Sequence, residues 1–167
     1  METHLSPKSV AIVGVSNDPQ KVGSVLLKNL LDDGYNGKVY PINPKYEELQ
    51  GRKAYPNILS VEEEIDLVCI ALPYQFVEEI VDQCVEKKVK TVLIITAGFS
   101  ETGEEGKELE ERIANKLRGS NIRLIGPNCL GFINNKAKIN LTFARNNPGD
   151  GNIAFISQSG AFCTAIL

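Results

Sequence analysis

Six short runs of consecutive apolar residues, separated by longer segments, dominate the pattern of this 167-residue chain. Because the runs are continuous instead of alternating with polar residues, they are typical of strands that are buried on both faces of a parallel sheet. The predicted strands are 9–14, 38–43, 66–72, 91–96, 122–126 and 152–157.

Apolar residues recur at helical spacing in three segments between these runs, namely 21–34, 74–88 and 103–119. The first helix is predicted to bury a face made of Val22, Val25, Leu26 and Leu30. It stops at Gly34, a residue type that commonly follows a helix C-terminus. Strand and helix in alternation predict βαβ units with right-handed crossovers. The fold class is therefore α/β, a Rossmann-like open parallel sheet with helices on both faces.

The alternation divides the chain into three parts. Residues 1–126 are predicted to form the Rossmann-like domain. Residues 127–151 have no helical pattern and are interpreted as a connecting segment or linker, with a short hairpin or an extended connection inside it. Residues 152–167 restart a strand–loop–helix pattern, which we interpret as the truncated start of a second α/β domain, so that the chain is a fragment.

Composition and charge narrow the possible partners. The net charge of −3 argues against general affinity for nucleic acids or membrane surfaces. No apolar run approaches the roughly 20 residues of a membrane span, and the N-terminus lacks the apolar core of a signal peptide. We therefore expect a cytoplasmic protein that binds neither nucleic acid nor membrane. The four cysteines have no C-x-x-C spacing, so no metal site is expected.

A ligand is expected where the strands end, because open α/β sheets bind ligands at the carboxyl edge. The first strand leads into Gly14, but the next glycine is Gly23, so the G-x-G-x-x-G fingerprint of dinucleotide enzymes is missing. Ser16 and Asn17 still offer polar side chains, Lys21 adds a positive charge, and the helix that follows offers free N–H groups. The loop can hold phosphate, although a plain strand–helix connection is the alternative.

The second strand ends in Asn43, Pro44 and Lys45, where an NAD enzyme carries an acidic residue for the ribose 2′-hydroxyl. A lysine at this place suits a phosphorylated ribose. That observation leaves NADP or coenzyme A as ligands, with a turn that carries a surface lysine as the alternative.

Several motifs, taken in order, resemble one family. They are SVAIVGVSNDPQKVGSVLLKNL, GKVYPINPKYEELQGRKAYPNI, DLVCIALP, IITAGFSETGEEG, GPNCLGF and ISQSGAF. Together they resemble the CoA-binding domain of the ADP-forming (NDP-forming) acyl-CoA synthetases. This family includes ADP-forming acetate–CoA ligase and is related to the α subunit of succinyl-CoA synthetase. The resemblance extends over essentially the whole chain, and a CoA-type ligand accounts for both the single Gly14 and the lysine loop.

The resemblance implies a reversible reaction in which acyl-CoA, ADP and phosphate give acid, CoA and ATP. An acyl phosphate forms first, and a histidine in the next domain carries the phosphoryl group to an ATP-grasp domain or β subunit. ATP or ADP and Mg²⁺ would bind only in those missing parts. His4 is the only histidine here, and it is expected to be solvated in the N-terminal tail, so the fragment alone is expected to bind CoA or acyl-CoA without turnover.

The resemblance also implies roles for individual residues. Ser16, Lys21, Val22 and Gly23 would hold the CoA phosphates, next to Gly14 and Asn17. Asn43, Pro44 and Lys45 would flank the adenosine. Leu72 and Pro73 would form an apolar wall, and Ala97, Gly98 and Phe99 would meet the pantetheine arm. Asn128 would lie near the thioester. Independently of the resemblance, the loop after the fifth strand places the Cys129 thiol near the CoA sulfur, but no basic neighbour is present to make it a nucleophile, and a small residue packed under a turn is the alternative. Ser159 and Gly160 would open a helix that binds the transferred phosphoryl group.

Two other functions remain open at this point. One is a non-catalytic or regulatory CoA-binding module attached to another domain, such as an acyltransferase. The other, less favoured because acid–base residues and the glycine fingerprint are missing, is an NADP-dependent oxidoreductase. The sequence does not indicate the acyl substrate.

Overall fold

The computed structural model describes residues 2–167, with side chains from His4 onward. The helices are α1 (Glu2–Leu5), α2 (Val22–Asp32), α3 (Val77–Lys87), α4 (Glu104–Arg118) and α5 (Gly160–Ile166). The strands are β1 (Ser9–Val13), β2 (Lys38–Ile42), β3 (Glu48–Leu49), β4 (Arg52–Lys53), β5 (Leu67–Ile70), β6 (Thr91–Ile94), β7 (Arg123–Ile125), β8 (Gly131–Asn134) and β9 (Ile139–Thr142). No helix in residues 2–167 is long and apolar enough to cross a membrane.

Five strands form the central sheet in the order β2-β1-β5-β6-β7, and all neighbouring pairs are parallel. This confirms the predicted fold class and the first five predicted strands. From β1 the chain moves to β2 on one side and then returns past β1 to β5 on the other. The carboxyl ends of β1 and β5 therefore form the topological switch point, where a crevice opens in this class of sheet.

The sheet separates two apolar layers. Alternate residues of β1 face opposite sides: Ala11 and Val13 pack with α3 and α4, whereas Val10 and Ile12 pack with α2. This burial on both faces is the reason why the strands read as continuous apolar runs. The helices are thus placed on both faces, as predicted.

The segment 127–144 packs on the α2 side of the sheet as an antiparallel hairpin, β8–β9. Ile139 and Leu141 are buried in the same apolar cluster as the α2 leucines. The side-chain amide of Asn29 on α2 donates to the carbonyl oxygens of Thr142 at 2.8 Å and Ala144 at 3.1 Å. Of the two forms predicted for this segment, the hairpin is the one observed. The proposed domain boundaries themselves stay a prediction.

Residues 152–157 do not form the predicted strand; this part of the prediction is wrong. Ile153 and Ile156 are 93% and 94% exposed. A strand requires a neighbour for its backbone N–H and C=O groups, and within residues 2–167 no strand pairs with this run. The helix predicted to follow is present as α5.

The buried face of α2 agrees only in part with the predicted one. Leu26 and Leu30 are fully buried as predicted, and Val25 is half-buried. Val22 is 39% exposed, whereas Leu27 is fully buried. Val22 stays exposed because it lies in the first turn, at the carboxyl edge of the sheet, where no layer covers it.

The C-terminus of α2 is closed by a Schellman motif around Gly34. The Tyr35 N–H donates to the Leu30 carbonyl at 3.3 Å, and the Gly34 N–H donates to the Leu31 carbonyl at 3.1 Å. This pairing requires a left-handed residue after the helix, and Gly34 has φ +79°. The sequence prediction of a C-terminal glycine here is confirmed.

We expect Gly34→Ala to lower the free energy of unfolding by about 1 kcal/mol, because a Cβ atom disfavours the left-handed conformation. Space does not oppose the new methyl group, since nothing lies within 4 Å of it. Gly119→Ala is the matched control, because Gly119 also ends a helix but has φ −76°. Urea titration should find the control unchanged or slightly stabilised. Equal effects of the two substitutions would contradict the backbone explanation.

Candidate functional site

The loop after β1 lies against the end of β5, directly at the topological switch point. Gly14 has φ +101°, and a Cβ atom there would lie 2.9 Å from the carbonyl carbon of Ala71. The Gly14 N–H donates to the Ile42 carbonyl at the end of β2. No side chain fits at this position. Because glycine has none, the chain can turn away from β1 while it contacts the ends of both neighbouring strands.

Gly23 brings the first turn of α2 against that same turn of the chain. A Cβ atom on Gly23 would lie 2.6 Å from the carbonyl carbon of Gly14 and 2.9 Å from the Val15 nitrogen. In dinucleotide-binding domains the third glycine of the fingerprint allows such close packing of helix and strand. Gly14 and Gly23 therefore perform the two end functions of that fingerprint, with a longer loop between them.

Ser24 fixes this longer loop from inside. Its hydroxyl accepts a hydrogen bond from the Ser16 N–H at 3.1 Å and donates one to the Ser16 carbonyl at 2.8 Å. Ser24 is only 1% exposed. Ser16 in turn presents its own hydroxyl toward the Asp18 N–H at 3.3 Å. The backbone of Ser16 is thus held on both its donor and its acceptor side.

The N-terminus of α2 is open, at the end of this loop. Within the described chain, no side chain caps this helix and its first turn carries no acidic residue. The positive end of the helix dipole is therefore not neutralised locally. Asn17, Lys21 and Val22 are exposed beside it. A helix start with free N–H groups and a nearby lysine is suited to an anion such as phosphate.

The loop after β2 lies next to residues 14–21 between β1 and α2, which we call the phosphate loop after its predicted ligand. The side-chain amide of Asn43 donates to the Val15 carbonyl at 2.7 Å, and its oxygen accepts from the Lys45 N–H at 2.9 Å. The Asn43 side chain therefore connects the two loops and has little capacity left for a ligand. Pro44 and the Lys45 side chain are exposed and available.

A small hairpin, β3–β4, follows the lysine loop and has no counterpart in the sequence analysis. Leu49 is buried in the α2-side cluster and anchors the hairpin. At its tip, the side-chain amide of Gln50 donates to the Ser24 carbonyl at 2.9 Å. The hairpin is therefore joined to helix α2 at Ser24, the residue whose side chain bonds Ser16 in the loop after β1.

The loops after β5 and β6 form the next part of the edge. Leu72 is half-buried and Pro73 is exposed, and the two loops are joined by a hydrogen bond of 2.7 Å from the Thr96 hydroxyl to the Leu72 carbonyl. Gly98 lies against the ring of Tyr74, and Ala97 is exposed.

Phe99 is 0% exposed and belongs to the core cluster on the α3–α4 side. Its side chain is therefore unavailable to a ligand on this surface. The predicted role of Phe99 at the pantetheine arm can apply only to its backbone.

The loop after β7 carries Asn128 and Cys129. Asn128 is exposed, and its N–H donates to the Thr96 carbonyl at 2.9 Å, which places it beside the β6 loop. The Cys129 thiol donates to the Ile94 carbonyl at 3.3 Å. Burial raises the pKa of the Cys129 thiol above its ordinary value. The thiol is therefore a poor nucleophile at neutral pH, as the sequence analysis expects.

Ser159 caps α5, as predicted, by accepting a hydrogen bond from the Phe162 N–H at 3.2 Å. Gly160 lies near Leu130, since a Cβ atom on Gly160 would be 3.7 Å from the Cβ atom of Leu130. The start of α5 is thus close to the loop that carries Asn128 and Cys129.

His4 lies at the other end of the sheet. Its Nδ1 atom is 2.9 Å from the Thr91 hydroxyl, and Thr91 is the first residue of β6. His4 is half-buried instead of solvated, which corrects the expectation of a free tail. It remains far from the carboxyl edge, where the candidate ligand residues gather.

Ser24 and Gln50 are the site residues that the sequence analysis misses. Ser24 is a small polar residue in a helix turn that also contributes buried leucines, and such a residue needs an internal hydrogen-bond partner. Gln50 precedes Gly51 between two short strands, where a tight turn is favoured. Both signals are present in the sequence but are too common to identify a site.

Comparison with known proteins supplies the family. A family model described as "CoA binding domain" matches residues 8–135. The chain is 50% identical over 161 residues to an ADP-forming acetate–CoA ligase of Methanocaldococcus jannaschii, and these residues are 96% of the chain and 22% of that protein. It is 45% identical to the alpha subunit of an ADP-forming acetate–CoA ligase II of Pyrococcus furiosus, over 100% of the chain and 36% of that subunit.

A solved structure gives the same result. A dinucleotide-forming acetyl-coenzyme A synthetase 1 of Ca. Korarchaeum cryptofilum, in complex with phosphate and ADP, superposes with a TM-score of 0.95 and 42% identity, over 99% of this chain and 35% of that one. The chain thus spans between about a fifth and two fifths of these relatives. The family model covers most of the length of this chain, including the loops that follow β1 and β5 at the switch point. The chain therefore belongs to the CoA-binding domain family.

Proposed function

We propose that this chain binds CoA at the switch point and is the CoA-binding part of an ADP-forming acyl-CoA synthetase. The observation that carries the proposal is the open N-terminus of α2, which Gly14 and Gly23 bring to the crevice between β1 and β5. The family membership and the ligase names of the relatives support it.

CoA is proposed to follow the carboxyl edge of the sheet. Its diphosphate lies on the N–H groups of Val22 and Gly23, with Ser16, Asn17 and Lys21 beside it. The adenosine lies near Pro44, and Lys45 contacts the 3′-phosphate. The pantetheine arm passes Leu72, Pro73, Ala97 and Gly98. This path ends at Asn128, so the thiol of CoA lies between the loops after β6 and β7.

In the whole protein, we propose that acyl-CoA, ADP and phosphate are converted to acid, CoA and ATP. A phosphate oxygen attacks the thioester carbonyl, the carbon–sulfur bond breaks, and CoA leaves as its thiolate, giving an acyl phosphate. The Asn128 amide is placed to donate to the oxygen that becomes negative in this step. At the start of α5, Ser159 and Gly160 bind the phosphoryl group of the acyl phosphate while a histidine outside this chain attacks the phosphorus, so that the bond from phosphorus to the acyl oxygen breaks and the acid leaves as a carboxylate. The phosphohistidine then gives the phosphoryl group to ADP in an ATP-grasp part outside this chain.

A regulatory CoA-binding module is the second candidate. Two features favour the synthetase, namely the short helix α5 with its Ser159 cap and the Asn128 loop next to it. A domain that only binds CoA requires neither of them. An NADP oxidoreductase is disfavoured because the described residues place no histidine at the carboxyl edge. The cytoplasmic location, the ATP-grasp partner and the domain boundaries at 126 and 151 belong to this proposal.

We expect the chain to bind CoA several-fold more tightly than dephospho-CoA, which lacks only the 3′-phosphate, and to bind NAD weakly. A partly exposed lysine–phosphate contact has an effect of this size. In Lys45→Ala the preference for CoA should shrink. Lys107→Ala removes the same charge from an exposed position on α4 and should leave it unchanged. Titration calorimetry measures the dissociation constants of CoA and dephospho-CoA for the wild type and both variants, and that of NAD for the wild type. Equal binding of CoA and dephospho-CoA by the wild type would contradict the role of Lys45.

Residues 1–167 alone should take up no covalent phosphate from acyl-CoA and labelled phosphate, with or without ADP. The reason is that His4 forms a hydrogen bond with Thr91 at the amino edge of the sheet, opposite the edge where CoA is proposed to bind. Autoradiography after gel electrophoresis at neutral to alkaline pH, where phosphohistidine survives, measures the label. Stable labelling that disappears in His4→Ala would show that the nucleophile has been misplaced.

CoA should slow alkylation of Cys129 by iodoacetamide in a Cys163→Ser background. Cys69 and Cys84 are buried and should not react. Because burial raises the pKa of the Cys129 thiol, the rate should be low at neutral pH and rise with pH as the thiolate forms. Mass spectrometry of the labelled peptide measures the rate.

Adenosine 3′,5′-bisphosphate is the matched ligand control for this experiment. It carries the nucleotide end of CoA without the pantetheine arm, so it should not protect the thiol. If saturating CoA gave no protection either, Cys129 would lie outside the site and the proposed path of the pantetheine arm would be wrong.

A further inference from the structure

Gln50 has a backbone conformation that its residue type disfavours. It occupies, with Gly51, the two-residue turn between β3 and β4, with φ +50° at Gln50 and +74° at Gly51. Positive φ at both central positions defines a type I′ turn, in which asparagine, aspartate or glycine is preferred at the first position. A glutamine at this position is held in the left-handed region against its own preference.

The side chain of Gln50 makes a specific long-range contact from this position. Its amide donates to the Ser24 carbonyl at 2.9 Å, across 26 positions in sequence. A carbonyl oxygen has two lone pairs, so Ser24 can accept this bond in addition to one from its own helix. The hairpin cannot drift away from the helix, because Leu49, the preceding residue, is 1% exposed in the core.

Ser24 transmits this contact to the phosphate loop. Its hydroxyl bonds both the N–H and the carbonyl of Ser16, and Ser16 is the residue that begins the exposed part of the loop. Gln50, Ser24 and Ser16 thus form a chain of hydrogen bonds from the hairpin through the helix to the loop. Ser24, the residue that Gln50 contacts, directly follows Gly23, whose N–H group lies on the proposed CoA path.

We propose that Gln50 is a positioning residue of the CoA site, and that its amide, acting through Ser24, holds the phosphate loop in the conformation that binds the diphosphate of CoA. The inference rests on the proposed function of the site. Because the diphosphate is common to CoA and dephospho-CoA, loss of the Gln50 contact should weaken both ligands by the same factor. In this respect it differs from loss of Lys45, which should affect CoA alone.

The decisive variant is Gln50→Gly. It removes the amide but also relieves the left-handed strain, so the melting temperature should stay within a few degrees of the wild type. We expect the dissociation constants of CoA and dephospho-CoA to rise together, about threefold to tenfold, as for one hydrogen bond that orders a binding loop. Gln50→Asn is the second variant, because asparagine tolerates the left-handed region while its side chain is one methylene group too short to reach Ser24.

Lys88→Gly is the matched control. Lys88 has φ +57° at the end of α3, so glycine relieves the same kind of strain away from the site. Calorimetry should find its CoA affinity unchanged. If Gln50→Gly and Gln50→Asn bind both ligands as the wild type does, the positioning role is refuted and the CoA site stands. If the wild type itself does not bind CoA, the proposed function fails first.

Discussion

The backbone of helix α2 touches the backbone at the end of β1, and the rest of the site depends on this contact. It exists because Gly14 and Gly23 have no side chains in a space where a Cβ atom would overlap main-chain atoms. The contact brings the positive end of α2 over the crevice between β1 and β5. A side chain at Gly23 would push the helix outward, so that its free N–H groups would no longer point into the crevice, and a side chain at Gly14 would push the turn away from Ala71 at the end of β5.

The same contact explains how a loop without the three-glycine fingerprint can still be ordered. In the fingerprint, the middle glycine lets the pyrophosphate approach the backbone closely. Here the corresponding stretch is longer and polar, and order comes from side chains. Ser24 fixes Ser16, and Asn43 fixes Val15. These side chains are occupied by internal hydrogen bonds, so the proposed ligand contacts are assigned to exposed neighbours such as Lys21 and Lys45.

The sequence predicts the sheet well because strands that are buried on both faces require a continuous run of apolar residues. It also predicts the C-terminus of α2, since only a left-handed residue closes a Schellman motif, and Gly34 has that conformation. The failures have physical reasons as well. The run at 152–157 is apolar enough for a strand, but a strand is defined by its neighbour, and hydropathy does not report one.

For the site, the sequence indicates which loops meet but not which side chains remain free. Asn43 and Phe99 both lie in the correct loops. Yet the Asn43 side chain is used to join two loops, and the Phe99 ring fills the core. Both residue types are common in binding sites and in structural positions, and only contacts across the sheet edge distinguish the two. Ser24 and Gln50 show the converse, because their importance comes from partners that are remote in sequence.

Net charge sets the last constraint on this site. These 167 residues carry a net charge of −3, whereas CoA is itself strongly anionic, so their net charge supplies no long-range attraction for the ligand. Binding must instead come from short-range donors that are already in place when the ligand arrives. At physiological ionic strength the Debye length is about 8 Å, so charges elsewhere on the surface are largely screened from the crevice. An ordered loop therefore increases the affinity. If the loop were not ordered, part of the binding free energy would be used to arrange the N–H groups at the start of the helix. This is the physical reason why the residues that hold the loop matter as much as those that touch CoA.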